Sequence, residues 1–282
     1  MNSLLAQLLL VRKRKAYWTL LGFWIVLPML FSYLLPYFAF TSDSNFRPRG
    51  LDKVLLTELL PQNFVNNILA SFPFFGGTIA LIIGVLFVGS EYSWGTLTYA
   101  FTQKASRLKV FGGKMAALGI VLIPFVVLVF MFAFLASLLI AMREGQAVEL
   151  PPLLLTMKAL GACWLIMAAW SSVGVMIAVL SRGTALAIGL GIIYALVIEN
   201  FITVFGRQIE ALSTLSQFLV RTSGYSLIYS LGATVQSAAG PGSFFGEYLS
   251  VARSCAMLGG FVAVALAISA AVIRWRDVVG NS

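Results

Sequence analysis

The sequence predicts an all-α membrane protein with six transmembrane helices, a helix lying in the N-terminal interface, and a short helix in the loop between the second and third spans. Three observations lead there. Residues of the AVILMFWYC set make up 60% of the 282 residues and charged residues only 10%, against roughly 45–50% and 25% in soluble domains. A soluble fold of this length needs a polar skin that so apolar a chain does not supply. Stretches free of Asp, Glu, Lys and Arg recur at the length of about 20 residues that a ~30 Å hydrocarbon core requires. Finally, the formal net charge of +9 concentrates on one set of loops, which reads as membrane sidedness and not as a nucleic-acid footprint.

At the N-terminus, Leu4, Leu5, Leu8 and Val11 share one helical face and are followed by Arg12-Lys13-Arg14-Lys15. This pattern predicts a helix in the plane of the interface, with its basic cluster among the headgroups. The basic residues follow the apolar run, the reverse of a cleavable signal. Spans are expected at about 17–40, 67–89, 116–141, 159–180, 185–205 and 253–273, with the whole of 1–282 forming one transmembrane domain. In the second, Gly76-Gly77 after Pro73 permits a bend or serves close packing. In the third, Phe125, Phe130, Phe132 and Phe134 are expected to face lipid.

Residues 222–246 are also uncharged, but Ser223, Ser226, Ser230, Thr234, Gln236 and Ser237 precede Gly240-Pro241-Gly242. Such a segment suits an outer-face or re-entrant element better than a lipid-facing helix. Ahead of it, Ile209, Leu212, Leu215 and Leu219 recur at near-helical spacing and suggest a surface helix. The stretch 206–252 is therefore expected to be a structured outer loop.

Sidedness follows from counting Lys and Arg. The N-terminus, the 90–115 loop, Arg182 and the tail hold eleven basic residues against two acids, whereas the opposite loops hold eight against seven. The positive-inside rule puts both termini in the cytoplasm of a multi-pass protein of the cell (plasma or inner) membrane.

Several chemistries are excluded. The chain has no histidine, so Ser-His-Asp and Cys-His catalysis and the HExxH metal site are out. Cys163 and Cys255 sit in apolar stretches without disulfide or zinc spacing. Gly112-Gly113-Lys114-Met115 lacks the leading Gly and the trailing Ser or Thr of a phosphate-binding loop. Neither an enzymatic activity nor a cofactor or metal of its own is expected; energy comes from another polypeptide, or transport is passive.

The most informative stretch runs Gly89-Ser90-Glu91-Tyr92-Ser93-Trp94-Gly95-Thr96-Leu97-Thr98-Tyr99-Ala100-Phe101, then Ser106-Arg107-Leu108-Lys109 and Gly113-Lys114. Ser93 can cap a short helix on which Trp94, Leu97 and Phe101 share an apolar face, and Ser106 can cap the next. That face is available to a cytoplasmic partner or to the headgroups.

Glu91-x-x-x-Gly95-Thr96-Leu97 with Ser106-Arg107 and Gly113-Lys114 resembles the signature of ABC-2-type permeases, the membrane subunits of a class of ABC exporters. The six-span layout, the basic N-terminal helix, the Ser181-Arg182-Gly183-Thr184 turn and the closing Arg274-Trp275-Arg276-Asp277 agree with it. The resemblance implies that the loop is a coupling helix docking on a cytoplasmic ABC ATPase subunit, with Glu91, Gly95, Thr96, Leu97 and Arg107 at the matching positions. Trp94 and Phe101 join them through the apolar face. It also implies two such ATPase copies, holding the ATP and Mg, and a second permease copy or a homologous permease. The path would run between the second and fifth spans of two protomers, nominating Phe75, Thr78, Ile82, Tyr194 and Glu199.

Glu199 is the one acid inside a span. Ala187, Gly191 and Ala195 precede it at four-residue intervals, a small-residue ridge that lets helices approach closely, so Glu199 is expected to face protein. Seventeen residues beyond Arg182, at ~1.5 Å each, place it near the outer interface. Two readings stay open there: a substrate-path or gating residue, and an interhelical hydrogen bond or interfacial anchor. The expected function is an exporter of an amphipathic or hydrophobic substrate. The alternatives are a passive or ion-coupled carrier, for which several buried ionisable groups would be usual, and a non-transporting scaffold subunit.

Overall fold

The computed structural model describes residues 3–42, 52–93, 107–206, 208–233 and 249–275, and among these every regular element is helical. The N-terminal helix α1 is Ser3–Lys13, and α2 follows as Lys15–Thr41 after a break at Arg14. Then come α3 (Asp52–Leu59), α4 (Phe64–Leu69), α5 (Gly77–Ser93), α6 (Arg107–Arg143) and α7 (Leu153–Ser181). Helix α8 is built of Thr184–Ile192, a π-helical turn Ile193–Ile198 and Glu199–Phe205. The last three are α9 (Glu210–Ser216), α10 (Val220–Tyr229) and α11 (Val251–Trp275).

Five of these, α2, α6, α7, α8 and α11, are long and apolar enough to cross a bilayer. The expected second span at 67–89 is instead broken into α4, a π-turn Phe72–Gly76 and α5, whose apolar part Gly77–Ser90 is shorter than a full crossing. Pro73 is the reason: it has no N–H to donate, and the amides of Phe75 and Gly76 both return to the Ser71 carbonyl, at 3.1 and 3.2 Å. The glycines also serve contact. A Cβ on Gly76 would lie 2.9 Å from the Trp24 ring, and one on Gly77 2.5 Å from the Trp170 indole nitrogen.

The π-helical segment of α2, Met29–Leu34, is tied to this break. Asn67 Nδ2 donates to the Ser32 carbonyl at 2.9 Å, and the Ser32 and Ser71 hydroxyls are 3.1 Å apart. A π-turn frees a backbone carbonyl, and here a side chain from the neighbouring helix meets it.

Helix α5 packs most closely on α7. A Cβ on Gly84 would overlap the Ser171 carbonyl, and one on Gly174 would overlap the Leu81 carbonyl. Each glycine thus meets the backbone three residues before the other, and the two helices touch main chain to main chain. At the end of α7, Arg182 adopts the left-handed conformation (φ 55°) and its amide donates to the Ala178 carbonyl, turning the chain directly into α8.

The third-span aromatics divide. Phe132 is exposed, but Phe125 and Phe130 are buried in the core, which corrects the expectation that they face lipid. Tyr17 meets Phe125 edge-on at 5.2 Å, and Phe130 lies between Phe64 and Phe72. Phe64 and Phe72 of the broken second segment cover Phe130, whereas Phe125 is covered from α2 by Tyr17 and Trp24. Trp24, fully buried, donates its indole N–H to the Phe125 carbonyl at 2.9 Å.

Candidate functional site

The small-residue ridge of α8 points inward: Ala187, Ala195 and Glu199 are all at most 2% exposed, and Gly191 packs against the Leu81 side chain. An apolar row of this kind brings α8 against α5, and the chain's one intramembrane acid is buried with it. Its partner comes from α10. The Arg221 backbone N–H donates to Glu199 Oε2 at 3.2 Å, and the Arg221 guanidinium donates to Asn200 Oδ1. Asn200 Nδ2 returns to the Leu196 carbonyl at 2.6 Å, which fixes the amide's orientation. Tyr194, a little over one turn earlier on α8, lies beside the carboxylate and packs on Trp170 at 6.1 Å between ring centroids.

The helix that supplies Arg221 is unusual. Residues Val220 through Ile228 are all buried, and this run includes Arg221, Thr222, Ser223, Tyr225 and Ser226. Gly224 sits 3.6 Å (Cβ position) from Pro73 and 3.7 Å from Ile166, so α10 is wedged between the π-turn of the second span and α7. The Ser226 hydroxyl accepts the Leu249 amide at 3.1 Å, holding the chain that leads into α11. Thr222 Oγ1, Ser223 Oγ and Ser254 Oγ are buried without a hydrogen-bond partner among the described residues. A buried polar atom left unsatisfied is costly, and these three lie on α10 and on α11, which packs against it.

These elements belong to a known type of membrane protein. The family model described as ABC-2 family transporter protein matches residues 8–198, well over half of the chain. The chain belongs to the ABC-2 transporter family. It is therefore a multi-pass membrane protein of the permease type. No curated protein matches it.

In this ABC-2 permease the nominated path residues fall into separate surroundings. Phe75, half-buried, stacks on Phe31 of α2 at 5.3 Å and so faces the first span. Thr78 and Ile82 are half-buried along α5. Tyr194 and Glu199 are brought together, and Trp170 bridges Tyr194 to Gly77. The hydrogen bond from Arg221 joins Glu199 of α8 to α10.

Tyr194 also closes one end of a cavity of about 600 Å³ between α7, α8 and α11, lined by Met176, Ile177, Leu190, Phe261 and Ile268. Its walls are almost wholly apolar, the usual character of a site for hydrophobic ligands.

Of the docking residues, Trp94, Gly95, Thr96, Leu97 and Phe101 lie outside the described residues. Glu91 is in the last turn of α5 and Arg107 opens α6, so the permease's two flanking helices bracket that segment. Close by, Arg14 donates to the Leu86 carbonyl at 3.2 Å and the Ser90 hydroxyl at 2.7 Å, fixing the α1–α2 break to the end of α5. Sequence reasoning missed Arg221, which it counted only among the basic residues of the outer loops, and Trp170. The available signal was position: Arg221 directly precedes the uncharged run that was singled out as re-entrant.

Proposed function

We propose that the protein is the transmembrane half of an ATP-driven exporter, working as a pair of permeases with two cytoplasmic ABC ATPases that hold ATP and Mg. The match to the ABC-2 transporter family over residues 8–198 carries this reading. Counting α4, the π-turn and α5 as one broken crossing would give six, an even number that leaves both termini on one side, and the distribution of basic loops favours the cytoplasmic side of the cell membrane.

The coupling segment would run through Glu91, Trp94, Gly95, Thr96, Leu97, Phe101 and Arg107, wedged into the motor. Closure of the motors then displaces α5 and α6. Because α5 touches α7 backbone to backbone at Gly84 and Gly174, a push on α5 moves α7 with it, and a packed pair transmits motion that a loose loop would absorb. The substrate is amphipathic or hydrophobic, in keeping with the apolar cavity that Tyr194 caps. Tyr194 and Glu199, with Thr78, Ile82 and Phe75, would line the route, and the Glu199–Arg221 contact would close its outer end.

The test is Leu97→Asp or Phe101→Asp in the complex with its ATPase. The permease should still insert while the ATPase no longer co-purifies, and substrate-stimulated hydrolysis in proteoliposomes should be lost. Full co-purification with either variant overturns the docking role. Uphill transport by the permease alone overturns the exporter reading.

A further inference from the structure

A second groove lies between α2 and α6, apart from the Glu199 cluster. Met29, Tyr33, Leu34 and Tyr37 form one wall, Leu135 and Arg143 belong to the other, and the volume is about 530 Å³. That lies within the usual size of a small-ligand site. The α2 wall includes the π-helical segment Met29–Leu34. The Tyr33 ring is buried, while Leu34 and Leu139 are 60% and 67% exposed, so the groove opens sideways to where lipid chains lie. From Met29 to Tyr37 the wall is about 12 Å long, and from Phe132 to Arg143 about 17 Å, at 1.5 Å per residue. Half of a ~30 Å core is about 15 Å, one leaflet.

The mouth carries charge of both signs. Helix α6 ends there because Gly145 takes a left-handed φ of 61° and the Gln146 amide donates to the Ala141 carbonyl at 2.9 Å, a glycine C-cap. This stop leaves Arg143 and Glu144 together at the groove's end. The Tyr37 hydroxyl donates to Glu144 Oε1 at 2.7 Å, and the Arg143 guanidinium lies 5.7 Å from the centroid of the same tyrosine ring. One aromatic residue therefore holds both a cation and an anion.

We propose that this groove binds one acyl chain of a phospholipid with a primary-ammonium headgroup, of the phosphatidylethanolamine class, with its phosphate on Arg143 and its ammonium on Glu144. A guanidinium fork suits phosphate oxygens, and the carboxylate keeps lone pairs to accept from an N–H donor after the tyrosine bond is made. A glycerol headgroup would bring only neutral hydroxyls to Glu144, with no cation to offset the carboxylate. A choline headgroup has no N–H, and the Tyr37 face that would attract it is already covered by Arg143.

The experiment uses the full-length protein, purified in detergent and incubated with vesicles of phosphatidylethanolamine, phosphatidylcholine or phosphatidylglycerol, with retained lipid read by native mass spectrometry. Phosphatidylethanolamine should be retained in preference to the other two. Arg143→Gln should lower retention of all three by about tenfold, the size of losing one charge-assisted contact, and Glu144→Gln should abolish the preference for ethanolamine. Ala136→Trp, which fills the groove, should strip the lipid. Equal retention of the three headgroups, or a preference for the glycerol lipid, overturns the proposal. So does an Ala136→Trp protein that keeps its lipid but changes oligomeric state, since a second copy would then be the occupant. Arg143→Gln and Glu144→Gln alter the groove's mouth, where both side chains lie outside the core, and decide the matter alone if Ala136→Trp does not fold.

Discussion

Arg221 holds Glu199 with its backbone N–H, at 3.2 Å, while its guanidinium reaches the next residue, Asn200. The contact joins α10 to α8 from two directions, so its two halves respond differently to substitution. Glu199→Gln keeps an acceptor for the amide but removes the negative charge next to a buried guanidinium. Removing the carboxylate charge near a buried guanidinium that it does not directly pair should cost about 1 kcal/mol or more, less than breaking a direct buried ion pair. The variant should lose that much in unfolding of the solubilised protein, and adding Arg221→Met should restore most of it. Strictly additive losses in that double-mutant cycle would mean that the two charges do not interact.

The α5–α7 crossing gives a sharper steric forecast. Gly84→Ala and Gly174→Ala each push a methyl group into a backbone carbonyl of the facing helix, and overpacking of this kind costs about 1–3 kcal/mol. Among the described residues nothing lies within 4 Å of the Gly112 Cβ position. Gly112→Ala should stabilise the same protein by up to about 1 kcal/mol through helix propensity alone. Fluorescence-detected gel filtration after a heat step would rank the three. A ranking in which all three behave alike removes the close crossing.

Trp24→Phe tests how α2 is fastened to α6. The phenyl ring retains most of the apolar contact but cannot donate to the Phe125 carbonyl, so a loss of about 1 kcal/mol from the hydrogen bond is expected, with a further loss from the smaller ring. Trp18→Phe, on an exposed residue, should cost much less. Thermal unfolding of the pair makes the comparison.

Glu58, on α3 outside the spans, is half-buried, and burial raises its carboxyl above the usual 4.5. The folded protein then holds this proton more tightly than the unfolded chain does, so this group's contribution to stability rises as pH falls through its folded pKa and levels off below 4.5. At neutral pH the charged form is disfavoured by the fold. Glu58→Gln should therefore raise the melting temperature at pH 7–8, with the gain fading as the pH is lowered to 4.5. A gain independent of pH would assign the effect to something other than ionisation.

Much of this architecture is legible in the residues. The ridge Ala187-Gly191-Ala195 points to the inward face of α8, because small side chains at four-residue spacing let a neighbouring helix approach closely, and it carries Glu199 into the core. Pro73 with Gly76-Gly77 marks the break in the second span. What periodicity does not reveal is how far a break propagates. The broken segment sets Phe64 and Phe72 against Phe130, α2 covers Phe125, and among the described residues five helices, not six, are long and apolar enough to cross a bilayer. The polar helix α10 is the other blind spot. Its serines read as solvent-facing on any local scale, but burial of Arg221 depends on Glu199 and Asn200 from more than twenty residues away.

The π-turn at Ile193–Ile198 has one more consequence. Each residue of a plain α-helix advances the azimuth by about 100°, and a π-turn takes up one extra residue within a single turn, so Glu199 and Asn200 stay on the ridge side, facing Arg221, although the chain there is one residue longer. The extra residue is what sets the phase of the outer end of α8 against the rest of that helix. Migration of the bulge by one position along α8 would rotate only the residues it passes, giving the permease a way to turn part of a helix without sliding it through the bilayer.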